Sequence, residues 1–455
     1  METIEDLLTK KPNDVINFLK GKSKDTSEYL KQYDPQQHKV KDPQIRKDKP
    51  IKTESGTSLV EVARLPVPFQ KLIVDRAASF LIGEGVGLIA DPNMEQEKTL
   101  LQMLKKTWYD NKLDYKTREI ARLWMSETEC AEYWWFEEDS ELWQGMGLPT
   151  GAGKAKMNTQ VWAKSKGDLL CPVFDEFDKL KAFGRGYKVG KKEHFDLFTE
   201  TELIYYRKDD NWTEINRKEN LLEKIPVIYY DRDMPEWYDA QDLIERFETL
   251  ISNFADRNDY FGSPLIVVKG KVTGFAEKGE QGKMITAEQD AEIDYLTWDQ
   301  APESIRLEKD TLQELIFAVT QTPDISFQQM KGLGANISGI ALELMFLDAM
   351  LKALKHQEIF GEMMQRRINL LKKGMTLIST SLEKVSGFMI EPEFTFYMPR
   401  NLQEQINMLV TATGGRAIMS RKTAVENNPF VVNSEAEFED IKDDEAGDFG
   451  NILPL

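Results

Sequence analysis

A chain of 455 residues exceeds what one compact core ordinarily fills, so two or more domains are expected, with 41% apolar residues to build their cores. A net charge of −18, from 59 Lys and Arg against 77 Asp and Glu, argues against a protein that coats nucleic acid through a basic face. It does not exclude DNA that passes close by without being gripped. Only two cysteines, Cys130 and Cys171, point to a reducing compartment, and the lack of a leader pattern or of an apolar run near ~20 residues leads to the expectation of a soluble cytoplasmic protein.

Residues 1–55 are charged and turn-rich, with a Lys/Arg-rich run over 38–54. They read as an arm or a loosely packed subdomain with one short helix near Ile4–Leu19. Pro66 and Pro68 then fit a first helical turn, followed by Phe69, Leu72, Ile73, Ala77 and Phe80 at helical spacing, with Gly83 as the stop. A second helical block covers Met94–Ser126, carrying Leu100, Leu104, Trp108, Leu113, Ile120, Leu123 and Trp124. A β-rich stretch follows, with strands expected at Cys130–Phe136, Gln160–Lys164, Lys179–Val189, His194–Thr199, Glu202–Tyr206 and Ile225–Tyr230.

The period then changes. Leu243, Phe247, Leu250 and Phe254, flanked by Ile244 and Ile251, give an amphipathic helix over Asp239–Asp259, stopped by Gly262-Ser-Pro264. Leu265–Val268 and Ile293–Trp298 are strand candidates. Pro302 starts a further helix with Leu312, Leu315, Ile316 and Val319 on one face, and Thr322-Pro323 ends it. Beyond a loop holding Gly332 and Gly334, Ile340, Leu344, Leu347, Leu351 and Leu354 form a helical seam that runs on to about Lys373, with Gly374 as its end. The remainder predicts a strand at Phe394–Tyr397, a helix over Gln403–Thr413, a short helix capped by Ser420, and a tail at Ser434–Asp448 dominated by acids.

Catalytic and metal chemistry find little support. His38, His194 and His356 are far apart and form no ligand-spaced pair, so a zinc site lacks its four N/S ligands and a Ser-His-Asp triad lacks its base. The stretch Gly147–Ala155 imitates a phosphate-binding loop, but Leu148 stands where Gly is required and Ala155 cannot supply a hydroxyl to Mg²⁺. Gly184-Arg-Gly186-Tyr-Lys-Val-Gly190 misses the dinucleotide spacing by one residue and no helix follows it. Asp443-Asp444-Glu445 lacks the loop spacing of an EF-hand and reads as a solvated acidic tail. The loop Gln328-Gln329-Met330-Lys331-Gly332-Leu-Gly334-Ala-Asn336 reads either as an ordinary interhelical loop or as a mobile loop facing a ligand or polymer. Loops of this length are uncommon and often functional.

Several segments stand in a fixed order: Leu72–Asp75 with Phe80–Gly83, Pro172–Asp175 with Lys181–Tyr187, and Lys224–Tyr229 ahead of the first central helix. Thr322–Asp324 and Ser338–Leu342 border the glycine loop, and Met419–Thr423 with Asn428-Pro429 lie near the end. In this order they resemble the portal proteins (head–tail connectors) of tailed bacteriophages, of the siphophage type from Gram-positive hosts. The resemblance spans roughly residues 60–445, and it is carried by order and spacing.

The resemblance implies an α+β portal fold: an N-terminal arm (1–55), an α/β wing (56–235), a stem helix (236–261), a small α/β clip (262–301) and a second stem helix (302–323). A tunnel loop (324–339), a long helix with a wing return strand (340–400), and a short helical crown with the acidic tail (401–455) complete it. Stem packing falls to Leu243, Phe247, Leu250, Phe254, Leu312, Leu315 and Ile316. Gln328, Gln329, Met330, Lys331 and Asn336 line the DNA channel, with Gly332, Gly334 and Gly339 as hinges. The same resemblance implies a homo-oligomeric ring of about twelve subunits at one capsid vertex of the virion, assembled in the host cytoplasm. Double-stranded DNA enters and leaves through it. Its partners are terminase, major capsid and scaffold proteins, and a head-completion or tail adaptor protein. No membrane, cofactor, metal or enzymatic activity is implied. A capsid-associated structural oligomer without a DNA channel is the alternative, and a carboxylate-metal hydrolase or nuclease a weaker one.

Overall fold

The computed structural model describes residues 8–53, 56–139, 141–149, 152–261, 265–269, 272–275, 285–287, 292–296, 301–324, 344–396, 402–414, 417–431 and 433–450. The chain divides into two compact units, Met1–Thr322 with Lys352–Phe396, and Pro323–Leu351 with Tyr397–Leu455.

In the first unit, the centre of the β-rich region is a five-stranded antiparallel sheet. Its strands are β6 (Leu169–Phe174), β7 (Leu180–Val189), β8 (Lys192–Thr199), β9 (Glu202–Lys208) and β10 (Trp212–Glu219), in the order β10-β9-β8-β7-β6. Alternation along the strands sends apolar side chains to both faces. Phe195 and Leu197 of β8, with Cys171 and Ile204, bury against Val15, Ile16 and Leu19 of helix α1 (Pro12–Lys20). Phe183 and Phe198 point the other way. They meet Ala131, Trp162 and Tyr229 of a three-stranded sheet ordered β11-β4-β5, from β4 (Glu129–Glu138), β5 (Ala155–Trp162) and β11 (Val227–Asp231). Strand β10 escapes a reading by periodicity because only Trp212 of it is buried; its charged, exposed residues suit a sheet edge that must not pair further.

Helix α1 corrects the expectation of a loosely packed arm. The segment 12–53 also holds α2 (Ser27–Tyr33) and the first strand of a hairpin, β1 (Lys49–Thr53) with β2 (Gly56–Val60). Its charged composition conceals three deeply buried apolar residues and a buried His38.

Helix α3 (Phe69–Ile82) starts after Pro68, and Gly83 follows at φ 51°. The expected block Met94–Ser126 is two helices, α4 (Glu95–Asp110) and α5 (Leu113–Glu127). Lys112 adopts a left-handed conformation between them. Asn111 fixes the break, donating to the carbonyls of Thr107 and Met157 and accepting from the amide of Thr159. Strand β3 (Val86–Ile89) pairs with a late strand, β16 (Glu391–Phe394).

Two long helices, α6 (Gln241–Phe261) and α7 (Ala301–Val319), pack on each other. Between them, β12 (Leu265–Lys269) pairs antiparallel with β15 (Glu292–Leu296), and β13 (Val272–Phe275) with β14 (Ile285–Ala287). Helix α8 (Leu347–Ile378) belongs to this unit from Lys352 onward.

Two expectations for α8 are corrected. The leucine seam is not its core face: Leu344, Leu347, Leu351 and Leu354 are exposed, and Ile340 lies outside the described residues. Ala353, Phe360, Met364, Ile368, Leu371 and Met375 are buried instead. Gly374 does not end the helix, which runs four residues further to Ile378. It permits close approach to the sheet, because a Cβ there would lie 2.0 Å from Sδ of the buried Met157. Gly374→Ala is therefore expected to destabilise by about 1–3 kcal/mol through overpacking, although Ala gains about 1 kcal/mol in helix propensity. Denaturant unfolding checks this, and adding Met157→Ala should remove most of the penalty specific to the alanine.

The second unit contains α9 (Leu402–Thr413), α10 (Arg421–Glu426) and α11 (Ser434–Gly450). Ser420 caps α10, its Oγ accepting from the amide of Thr423 at 3.1 Å. The acidic stretch read as a tail is helical in α11.

Candidate functional site

Helices α6 and α7 frame the region of interest. From α6, Ile244, Phe247 and Leu250 are buried, with Leu243 and Phe254 half-buried; from α7, Leu312 and Ile316 are buried. Phe69 of α3 stands edge-on to Phe247 and Phe317, at centroid distances of 5.1 and 5.9 Å. Leu315 does not join this packing within the chain: it is 43% exposed. One residue is about 100° of helical rotation, and with Leu312 and Ile316 inward, Leu315 turns toward solvent. Ile244, fully buried, is the packing residue that the four-and-three spacing had set beside the main stripe.

The polar side of α6 is also covered. Glu248, Ser252 and Asp256 recur every fourth residue, and each accepts a backbone amide from the segment 63–67. Val67 donates to Glu248 at 2.7 Å, Leu65 to Ser252 at 3.0 Å and Ala63 to Asp256 at 2.7 Å. The match is metrical: four helical residues rise about 6 Å and two extended residues about 6.6 Å. His38 Nδ1 lies 2.6 Å from Glu248 Oε1, and Arg46 donates to Asn253 and Asp256. The N-terminal segment is thus strapped along α6, a feature that the sequence reading missed.

Where α7 ends and α8 begins, a buried ionic junction forms around Glu236, just ahead of α6. Its carboxylate accepts from Arg232 Nη1 at 2.6 Å, Lys352 Nζ at 2.5 Å and His356 Nε2 at 3.0 Å. Lys352 also donates to the Thr320 carbonyl at 2.5 Å, and the Thr320 hydroxyl donates to Thr322 Oγ1 at 2.9 Å. Burial opposes a charge on Glu236. The hydrogen bond from His356 and the positive charges of Lys352, His356 and Arg232 outweigh it and hold the carboxyl well below the usual carboxylate range. The junction ties together the point where the chain leaves the first unit, at Thr322, and the point where it returns, at Lys352. A second buried pair fixes α8 further along. Arg367 and Glu132, both with fully buried side chains, meet at 2.8 Å, and Arg367 also donates to Thr117 Oγ1 at 2.7 Å.

The segment that these contacts bracket holds the loop residues Gln328, Gln329, Met330, Lys331 and Asn336 and the glycines Gly332, Gly334 and Gly339. All of them lie outside the described residues. His38 and His356 serve carboxylates in separate places, and among the described residues no group of three His, Cys, Asp or Glu is arranged to hold a metal. Among the same residues, no helix is long and apolar enough to cross a membrane.

Comparison with known proteins supplies the class that this arrangement leaves open. The sequence profile "Phage portal protein, SPP1 Gp6-like" matches residues 59–448, so the chain belongs to the SPP1 Gp6-like family of phage portal proteins. It is 23% identical over 408 residues to the portal protein of Bacillus phage SPP1, covering 83% of this chain and 75% of that one. Among solved structures it is similar to a chain in the neck of a native GTA particle computed with C12 symmetry, at 10% identity and a TM-score of 0.42, covering 91% of this chain and 98% of that one. A chain in the neck of an empty GTA particle computed with C6 symmetry gives 11% identity and a TM-score of 0.42, covering 79% and 88%.

Proposed function

We propose that this chain forms a closed ring at one capsid vertex, through which double-stranded DNA is packaged and ejected. Membership of the portal family over 59–448 is the observation that carries the reading. Helices α6 and α7 act as the stem, the strands between them as the clip, and the segment 324–339 as the tunnel loop. The clip presents a surface first to terminase and then to a head-completion or tail adaptor protein, and major capsid and scaffold proteins surround the ring. The chain itself hydrolyses no nucleotide; it is an assembly component.

The net charge of −18 supports a conduit over a clamp, because each tight phosphate contact would resist sliding and an acidic wall repels DNA toward the axis. Gln328, Gln329, Lys331 and Asn336 are the loop residues proposed to approach phosphates, with Met330 as a further channel-lining residue and Gly332, Gly334 and Gly339 as hinges. Electron-microscope class averages of the purified protein test the ring directly. Closed rings with a central hole and about twelvefold symmetry are expected, and a monodisperse monomer at high concentration across salt conditions would overturn the reading. Lys331→Glu is expected to leave the rings intact and to lower the DNA retained per capsid; retention at the wild-type level would remove Lys331 from the proposed contact.

A further inference from the structure

Phe177 is the apex of the turn that joins β6 to β7, and it is 81% exposed. The turn is prebuilt: Asp175 Oδ1 accepts from the amides of both Phe177 and Lys179 at 2.9 Å, and Asp178 adopts φ 56°. A large apolar ring is thus held out into solvent on a rigid support. The exposed Glu176 beside it makes no ion pair among the described residues.

The same sheet carries a groove of about 570 Å³ between its β9–β10 margin and the end of β4, lined by Tyr133, Trp135, Leu203, Tyr205, Lys218 and Leu221. Tyr133 and Trp135 stack at 5.5 Å with 19° between their planes, giving a flat aromatic wall. Leu221 stands at its rim, 63% exposed. Lys218, also exposed, makes no ion pair among the described residues.

The strand order decides what these two features can do together. The pairs Ala182–Thr199, Leu203–Phe198 and Glu202–Glu219 place the 175–179 turn and residues 218–222 at the same end of the sheet. In the order β10-β9-β8-β7-β6 they lie on opposite margins, separated by roughly 14–19 Å at the usual strand spacing. A two-fold dimer needs one self-complementary patch. A closed ring instead needs two different patches on each copy, one to give and one to receive.

We propose that the Phe177 turn of one subunit seats in the aromatic groove of the next copy of this chain around the ring. The inference rests on the ring reading above. Phe177 supplies a rigid aromatic anchor of the kind that dominates interfaces, and its fixed turn avoids an ordering cost on docking. Glu176 and Lys218, one beside the knob and one beside the groove, supply opposite charges that set orientation and disfavour the reverse approach.

A chain carrying Glu176→Cys and Lys218→Cys, which keeps Phe177 and Leu221 in place, tests this as assembled rings. Cys130 and Cys171 are buried, so mild oxidation should yield a ladder of covalent multimers that neither single variant gives. Rings visible by electron microscopy whose double-cysteine subunits migrate as monomers would overturn the contact while leaving the ring reading intact. If the double-cysteine chain does not assemble, the charge swap decides: Glu176→Lys and Lys218→Glu should each lower the fraction of protein in rings at least several-fold, and the two together should restore it. Failure of that restoration overturns the proposal. Wild-type protein that forms no rings overturns both this proposal and the reading beneath it.

Discussion

Replacing Arg367 with Met is expected to cost about 3–5 kcal/mol, the usual penalty for removing one partner of a buried ion pair. The size follows from what would remain. Glu132 is fully buried, and among the described residues its Oε1 already lacks a hydrogen-bond partner. Its other oxygen accepts from Arg367 at 2.8 Å and from Tyr230 at 3.0 Å. Without the guanidinium, one phenol hydroxyl is left to meet a carboxylate in an apolar setting. The guanidinium also lies 5.4 Å from the Trp108 ring centroid and donates to Thr117, so Arg367→Lys keeps the charge but loses the planar fork and is expected to recover only part of the loss. Denaturant unfolding should show the midpoint fall with little change of slope. Adding Glu132→Gln to Arg367→Met should return part of the stability, because the stranded charge is gone. A double variant no more stable than the single one would mean that packing, and not the ion pair, fixes α8 here.

The second large effect is expected at Glu236. Glu236→Leu strands Lys352 and Arg232 without their anion and should cost about 3–5 kcal/mol. Lys352→Met leaves Glu236 still bonded to Arg232 and His356. It should therefore cost only the worth of a charged hydrogen bond, about 1.5–3 kcal/mol. That ordering is the test, and equal losses would contradict the assigned geometry.

The pH dependence has a definite sign. The folded carboxyl of Glu236 is depressed below its ordinary value of 4.5. Its contribution is therefore whole above that value and disappears as pH falls through the depressed one. Wild-type stability and that of Glu236→Leu should converge in acid and separate toward neutrality. Lys352 also holds the Thr320 carbonyl; on the proposed role of 324–339 as a tunnel loop, rings built from Lys352→Met are expected to assemble yet to encapsidate less DNA. Wild-type DNA content in such particles would show that the junction serves folding alone.

Periodicity made helix α6 legible: Leu243, Phe247 and Leu250 recur on one face. The same signal could not choose the face of α8. Its leucines and its buried residues Ala353, Phe360, Met364, Ile368, Leu371 and Met375 both keep helical spacing, and only packing tells which set turns inward. Gly374 illustrates a second limit. A glycine after a helical run reads as a stop, whereas here it clears space for Met157, a residue 217 positions away in the chain. The ionic junctions were invisible for a related reason. Glu236, Lys352 and His356 look like ordinary surface residues until the fold brings two distant segments together. Within the candidate channel, the sequence supplied the order of elements and the glycine-rich connection, but the supports around it are tertiary.

The three amide bonds along α6 make the 63–67 strap behave as a vernier. Its two scales, about 6.6 Å per two extended residues and about 6 Å per four helical ones, coincide well enough over three marks and drift apart over a longer run. Inserting one residue between Ala63 and Leu65 would reverse which amides face the helix upstream of the insertion. Sliding the whole strap by one residue would cost all three bonds together. The nearest other register in which amides again meet Glu248, Ser252 and Asp256 lies a full helical turn away, so the first unit's N-terminal segment has discrete positions along α6 and no continuum of them.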